Sequence, residues 1–118
     1  MITRIFYPVG QGAFYTEENH EENFRIVFDC GNIRKASKFK HQINSAFPIN
    51  SIINILFISH FDYDHVSYIP ELKSNYRIKN VVLPLLQTSE KKILSNIYSS
   101  IDKEILSRLI DDPKLYFG

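Results

Sequence analysis

A single cysteine among 118 residues leaves Cys30 nothing to pair with inside the chain, which excludes an internal disulfide framework. An excess of either charge is also missing. Fourteen Lys and Arg stand against 13 Asp and Glu, a formal net charge of +1, scattered without a basic face or an acidic tail. Long apolar runs are absent, and none approaches the roughly 20 residues that span a bilayer. The opening stretch MITRIFYPVGQG reaches Arg4, Pro8 and Gly10 too early to hold a secretory apolar region. These absences point to a reducing, cytoplasmic location, no membrane partner, and no electrostatic footprint for nucleic acid.

What is present is ordinary globular material. Hydrophobic residues make up 44% and charged residues 23%, which argues against disordered and fibrous classes. The length suits one domain over residues 1–118 with one real core. Strands are expected at Ile2–Tyr7, at AFYTE from Ala13, and at Phe24–Phe28, separated by the PVGQG turn and the polar loop Glu18–Asn23. Ala36, Phe39, Ile43, Ala46 and Phe47 recur at helical spacing and predict an amphipathic helix over Arg34–Phe47, ended by Pro48.

IINILFIS, Ile52–Ser59, is almost wholly apolar apart from Asn54 and reads as a strand buried on both faces. A short helix over Val66–Leu72 and a buried strand over Asn80–Leu83 follow. Thr88–Ile110 carries a stripe of Ile93, Leu94, Ile97, Tyr98, Ile101, Ile105, Leu109 and Ile110, so one long helix is expected there, capped by Thr88 or Ser89. After Pro113 a further strand is expected. The class is therefore α/β, a mixed β-sheet with helices on one face.

Histidine is scarce too, at four residues, yet two of them fall in the run HFDYDH, His60–His65. Imidazoles and carboxylates packed this densely need something to neutralise and order them. They are the usual ligands of Zn²⁺ and related divalent ions, and the run leaves a predicted buried strand, where α/β proteins gather functional groups. The plainer alternatives are a hydrogen-bonded His-x-Asp pair, and Asp64 as the cap of a helix beginning at His65. Cys30 reads as a small buried hydrophobe, and His20 and His41 as solvated.

His60, Asp62, Asp64 and His65 resemble the H-x-[HD]-x-D-H motif of metallo-β-lactamase-fold hydrolases. VGQG, Val9–Gly12, is similar to the glycine-rich turn early in many members, notably the ComEC-like DNA-uptake branch, although Ala13 stands where that branch has Asp. IVFDCG looks like the family's next strand, and the resemblance covers about residues 1–85.

It implies the N-terminal half of an αββα sandwich, a truncated domain, with His60 and Asp62 on one metal and Asp64 and His65 on a second. Asp64 would also orient the attacking water, and Asp29 would brace the metal loop from behind. Zn²⁺ is the implied cofactor, with Mn²⁺ or Fe²⁺ as alternatives because Asp62 replaces the commoner histidine. The implied activity is metal-dependent hydrolysis of a phosphodiester or of another ester or amide, so nucleic acid stays open as a substrate.

The family completes its centre with two histidines and a bridging aspartate from its second half, whereas no histidine follows His65 here and Asp102, Asp111 and Asp112 match no such motif. The expected partner is accordingly a second copy of the chain or a missing second half. The alternative is a catalytically inactive module that works by binding.

Overall fold

A computed structural model describes residues 1–10, 12–33, 37–100 and 103–118. These form two units, Met1–Leu83 and Pro84–Gly118. The first begins as an antiparallel meander of β1 (Ile2–Phe6), β2 (Gly12–Asn19) and β3 (Phe24–Asn32). Both later strands outrun the sequence expectation. The loop between them shrinks because Asn19 Oδ1 accepts from the backbone N–H groups of Glu21 and Glu22, at 3.1 and 3.2 Å, closing a tight turn.

IINILFIS does not form one strand. It divides into β4 (Ile52–Ile53) and β5 (Ile55–Phe57), which belong to different sheets. The polar residue in the run makes the division. Asn54 exchanges a backbone and a side-chain bond with Arg25, each 2.9 Å, so its amide stands in for a ladder step while the chain changes sheets. β5 joins the meander in parallel, and β7 (Val81–Val82) adds outside it, giving a mixed five-stranded sheet ordered β1-β2-β3-β5-β7. β4 pairs in parallel with β6 (Arg77–Ile78), a strand too short to announce itself by pattern.

Three helices cover one face of the larger sheet: α1 (Ser37–Ser45), α2 (Tyr63–Val66) and α3 (Ile69–Asn75). Arg34, Lys35 and Ala36 of the expected first helix, like Gln11 of VGQG, lie outside the described residues. Phe39, Ile43, Val66, Ile69 and Leu72 are buried with Phe14, Val27, Ile53 and Leu56 of the strands, and Phe14 meets Phe39 edge-on at 5.7 Å. Where one short helix was expected over Val66–Leu72 there are two, because Pro70 sits in the first turn of α3, where its missing N–H costs nothing.

The other face corrects the expectation of strands buried on both sides. A cross-strand row runs Phe6, Tyr15, Phe28, Phe57 and Val82, each the register partner of the next. Neighbouring rings along it lie 4.3, 5.4 and 4.7 Å apart, and Phe28 stacks flat on Phe57. Phe6 is 80% exposed and Val82 46%. The row is apolar and continuous, yet open.

Tyr76, just after α3, ties the core to the end of α1. Its hydroxyl donates to Ile43 O at 2.6 Å and accepts from Phe47 N at 3.2 Å, so it satisfies backbone groups that a helix end leaves over. Burial pushes its phenol above the ordinary value. The folded chain thus holds this proton more tightly than the unfolded chain does. The stability this contributes is whole below the ordinary phenol value and is lost as pH rises from there through the raised value of the folded chain. Tyr76→Phe should cost about 1–3 kcal/mol at neutral pH and flatten the alkaline fall in stability. Denaturant melts at pH 7 and 11 measure both effects.

In the second unit the expected long helix is a hairpin of α4 (Thr88–Ser100) and α5 (Glu104–Asp111); Ile101 and Asp102 lie outside the described residues. Ser95 and Ser107 meet in the buried seam, hydroxyl to hydroxyl at 2.7 Å. Tyr98, Leu106, Leu109 and Ile110 fill that seam, while Ile93, Ile97 and Ile105 of the same predicted stripe remain exposed. The strand expected after Pro113 is a short helix, α6 (Pro113–Phe117). Asp112 caps it by accepting from Leu115 N at 3.1 Å, and Pro113 occupies its first turn. Among the described residues no helix is long and apolar enough to cross a membrane.

Candidate functional site

The HFDYDH run leaves the carboxyl end of β5. Ile58 continues the ladder by donating to Val82 O at 2.9 Å, and its buried side chain holds the exit in place. Phe61 is buried in the middle of the run, while His60 and Asp62 on either side of it are exposed. One apolar anchor thus turns two polar neighbours outward. Helix α2 then begins at Tyr63, earlier than expected. Asp62, not Asp64, holds the cap position, and it makes no side-chain capping bond. Asp64 lies inside the first turn.

Behind the run stands the end of β3. The β2–β3 register slips between Phe14 and Tyr15, so Tyr15 faces Phe28, Phe14 faces Cys30, and Asp29 is the extra residue of a bulge. Asp29 takes φ of 58°, a left-handed conformation that Asp tolerates better than most side chains. Its carboxylate is buried and accepts three hydrogen bonds: Ser59 N at 2.7 Å, Ser59 Oγ, and His65 Nδ1 at 3.0 Å. Sequence reasoning set Asp29 behind the loop, and the fold brings the two together.

Gly31 makes this approach feasible. A Cβ there would run into the backbone of Asp64 and His65. Next to it, Tyr68 N donates to Cys30 O at 3.0 Å, and Ser67 Oγ bridges the backbone N–H and C=O of Asn32 at 2.9 and 2.8 Å. The tail of β3 is therefore fastened to His65 in α2 and to Ser67 and Tyr68 just after it. Cys30 is fully buried, and desolvation, helped by the Asp29 charge, pushes its thiol well above the ordinary range. It stays protonated and serves as packing, not as a nucleophile or thiolate ligand.

The two imidazoles are neighbours. The ring centres of His60 and His65 are 5.2 Å apart with planes tilted by 46°. His60 Nδ1 lies 3.1 Å from Ser59 Oγ, and His65 Nε2 lies 3.8 Å from Asp64 Oδ2. Even so, among the described residues no group of three or more His, Cys, Asp and Glu is arranged to hold a metal ion. Of the sequence candidates, Asp29, His60, Asp64 and His65 gather, and Asp62 stands exposed at the cap position of α2 without a capping bond.

Ser59, Ser67 and Gly31 were missed as contributors to the loop. The signal for Ser59 was its place next to His60; for Gly31 it was a glycine in a strand tail, where close backbone approach is common. His20 and His41 lie elsewhere. His41 is exposed on α1, and His20 Nε2 is 3.0 Å from Thr3 Oγ1. A shallow groove lined by Ile2, Arg4, Glu17, Asn19, Phe24 and Ile26 lies at the opposite strand ends. Its polar centre is Glu17, kept below the usual carboxylate range by hydrogen bonds from Tyr15 and Arg4. With this geometry in view, comparison with known proteins adds no relative: no protein-family model, no curated protein and no solved structure matches the chain.

Proposed function

We propose that this chain carries the first half of a metal-dependent hydrolase centre of the metallo-β-lactamase kind, acting on a phosphodiester or on another ester or amide. The observation that carries the reading is the buried Asp29 carboxylate on His65 Nδ1. Metal-binding histidines usually give their second ring N–H to such a partner, which fixes the ring and raises its basicity.

The donor chemistry of the loop suits a borderline divalent ion such as Zn²⁺, or Mn²⁺ or Fe²⁺, with His60, Asp62, Asp64 and His65 as the residues that would hold it. Bound there, such an ion supplies acidification of water and charge stabilisation. The chain's own residues do the rest. Asp29 orients His65, Phe61 seats the loop, and Asp64 would orient the attacking water. The remaining ligands come from a second segment of polypeptide.

The expected result of metal analysis on the purified chain is at most one divalent ion, weakly held, and no turnover of chromogenic phosphodiesters or esters. Adding the product of a neighbouring reading frame that supplies histidines should raise both. Two chelator-resistant ions on the chain alone would overturn the reading.

The open aromatic row favours a second reading, a module that works by association. Large uncovered apolar faces mark association sites, and a two-fold dimer is the commonest way to bury one. The expected solution species is thus a homodimer, or a complex with the second segment, inactive as a monomer. Light scattering at micromolar concentration checks this. A stable monomer that binds no hydrophobic dye counts against it.

A further inference from the structure

The two edges of the five-stranded sheet are unequal. β7 is two residues long and Pro84 follows closely, so it gives a further strand little to pair with. β1, the other edge, runs for five residues, ITRIF, and pairs with β2 without a register slip. Tyr7 N donates to Phe14 O at 3.0 Å and Met1 O accepts from His20 N at 3.1 Å, which puts the odd-numbered residues in the ladder. The N–H and C=O groups of Ile2, Arg4 and Phe6 therefore point away from the sheet. Their side chains lie on the open face with the aromatic row, and all three are exposed. An outward charge is the usual guard of such an edge. Arg4 is the one charge on this strand, yet its Nε donates to Glu17 Oε1 at 2.9 Å, which draws it back toward β2. The edge is left unguarded.

We propose that β1 pairs with β1 of a second copy, antiparallel about a two-fold axis at Ile5, so that two sheets join into one. The strand is complementary to itself, and its residues select the register. Outward groups must meet outward groups, so the axis passes between two copies of the same residue. An axis at Thr3 leaves Phe6, 80% exposed, beyond the pairing. One at Arg4 sets like charges directly opposite each other, which is destabilising. At Ile5 it sets Phe6 against Arg4 of the second copy, whose apolar stem covers the ring while its head stays on Glu17. Ile5, 38% exposed, then meets its own copy on the helix side. Pro8, which has no N–H to give, falls at the end of the new ladder. Because β7 offers no comparable edge, growth stops at two copies and does not run on into fibres. Such a dimer fills in the association reading, on which it rests, and is independent of the hydrolase one.

The test uses the full chain. Ile5→Cys places two thiols at a non-hydrogen-bonded pair, with Cα atoms about 4.5 Å apart, within reach of a disulfide. Mild oxidation of the folded protein should cross-link Ile5→Cys and leave Thr3→Cys and Arg4→Cys uncrosslinked; Cys30 is fully buried and does not compete. In sedimentation, Ile5→Lys should weaken the dimer at least about tenfold, by setting like charges together at the axis. Arg4→Pro should weaken it as much while keeping the fold, since the N–H it removes lies outside the ladder with β2. Val82→Lys, at the far end of the aromatic row, should leave the dimer within about twofold. Amide exchange at Arg4 and Phe6 should slow as the dimer fills. Cross-linking at Thr3→Cys or Arg4→Cys in place of Ile5→Cys would overturn the register and the proposal with it. A dimer kept in Ile5→Lys would overturn the edge; where Val82→Lys dissociates it instead, association through the aromatic row still stands. A monomer at high micromolar concentration would overturn both.

Discussion

Asp29→Ala should be the costliest removal of a charged side chain in the described part of the molecule, at about 3 kcal/mol, while Glu22→Ala should change stability by less than about 0.5 kcal/mol. Glu22 lies exposed in a polar turn, where its backbone N–H and not its side chain closes the loop. Asp29 is different on two counts. Its carboxylate satisfies Ser59 N, Ser59 Oγ and His65 Nδ1 in a buried setting, and removing it strands those donors. Its backbone also sits at φ of 58°, where alanine pays the strain of a Cβ that aspartate offsets by local hydrogen bonding.

Asp29→Asn separates the two causes. It keeps the tolerance for the left-handed conformation and one acceptor oxygen but loses the charge, so an intermediate loss is expected. Chemical denaturation of the three variants beside the parent measures the order. Equal midpoints for Asp29→Ala and Glu22→Ala would remove Asp29 from its place as the brace of the loop.

Gly31→Ala should be at least as damaging, above about 3 kcal/mol, for a purely steric reason. The new methyl would overlap the backbone of Asp64 and His65, which cannot swing aside as a flexible side chain can. To accept it, α2 must lift from the tail of β3, and the Tyr68–Cys30 and Ser67–Asn32 bonds would break with it. The control is Gly10→Ala. Gly10 has φ of 69° with open space around its Cβ position, so only backbone strain is added, about 1–2 kcal/mol. A thermal melt should rank Gly31→Ala well below Gly10→Ala. Loss of the His60–His65 ring contact by NMR should accompany the former alone.

The local pattern of this chain was legible where a short stretch carried its own physics. Pro8 and Gly10 marked the first turn, Phe39 and Ile43 the buried side of α1, and HFDYDH the loop where polar side chains converge. Asp29 was picked out through the resemblance of IVFDCG to the family's strand, which implies a carboxylate behind the loop. Errors arose where the outcome depended on a distant partner. Asn54 interrupts an apolar run, but only its pairing with Arg25 reveals that the chain changes sheets there. Pro113 was read as ending a helix and Pro70 as lying within one, and each instead sits in the first turn of a new helix, since a proline's missing N–H matters inside a helix and not in its first turn.

The same reason explains the apolar residues. Phe6, Phe28, Phe57 and Val82 are hydrophobic enough to be core, and periodicity says only which of them share a face. Whether a face is covered depends on which helices the chain lays over it, and α1, α2 and α3 all lie on the other side. The long stripe of Thr88–Ile110 likewise held a hairpin, because burial along it was decided by α5 returning onto α4 and not by spacing. Sequence alone therefore determined that two histidines and two aspartates crowd one short loop and roughly where that loop leaves the sheet. The bulge at Asp29, the bare Cα of Gly31 and the hydroxyl of Ser59, all set by contacts between residues distant in the chain, decided how those groups are aimed.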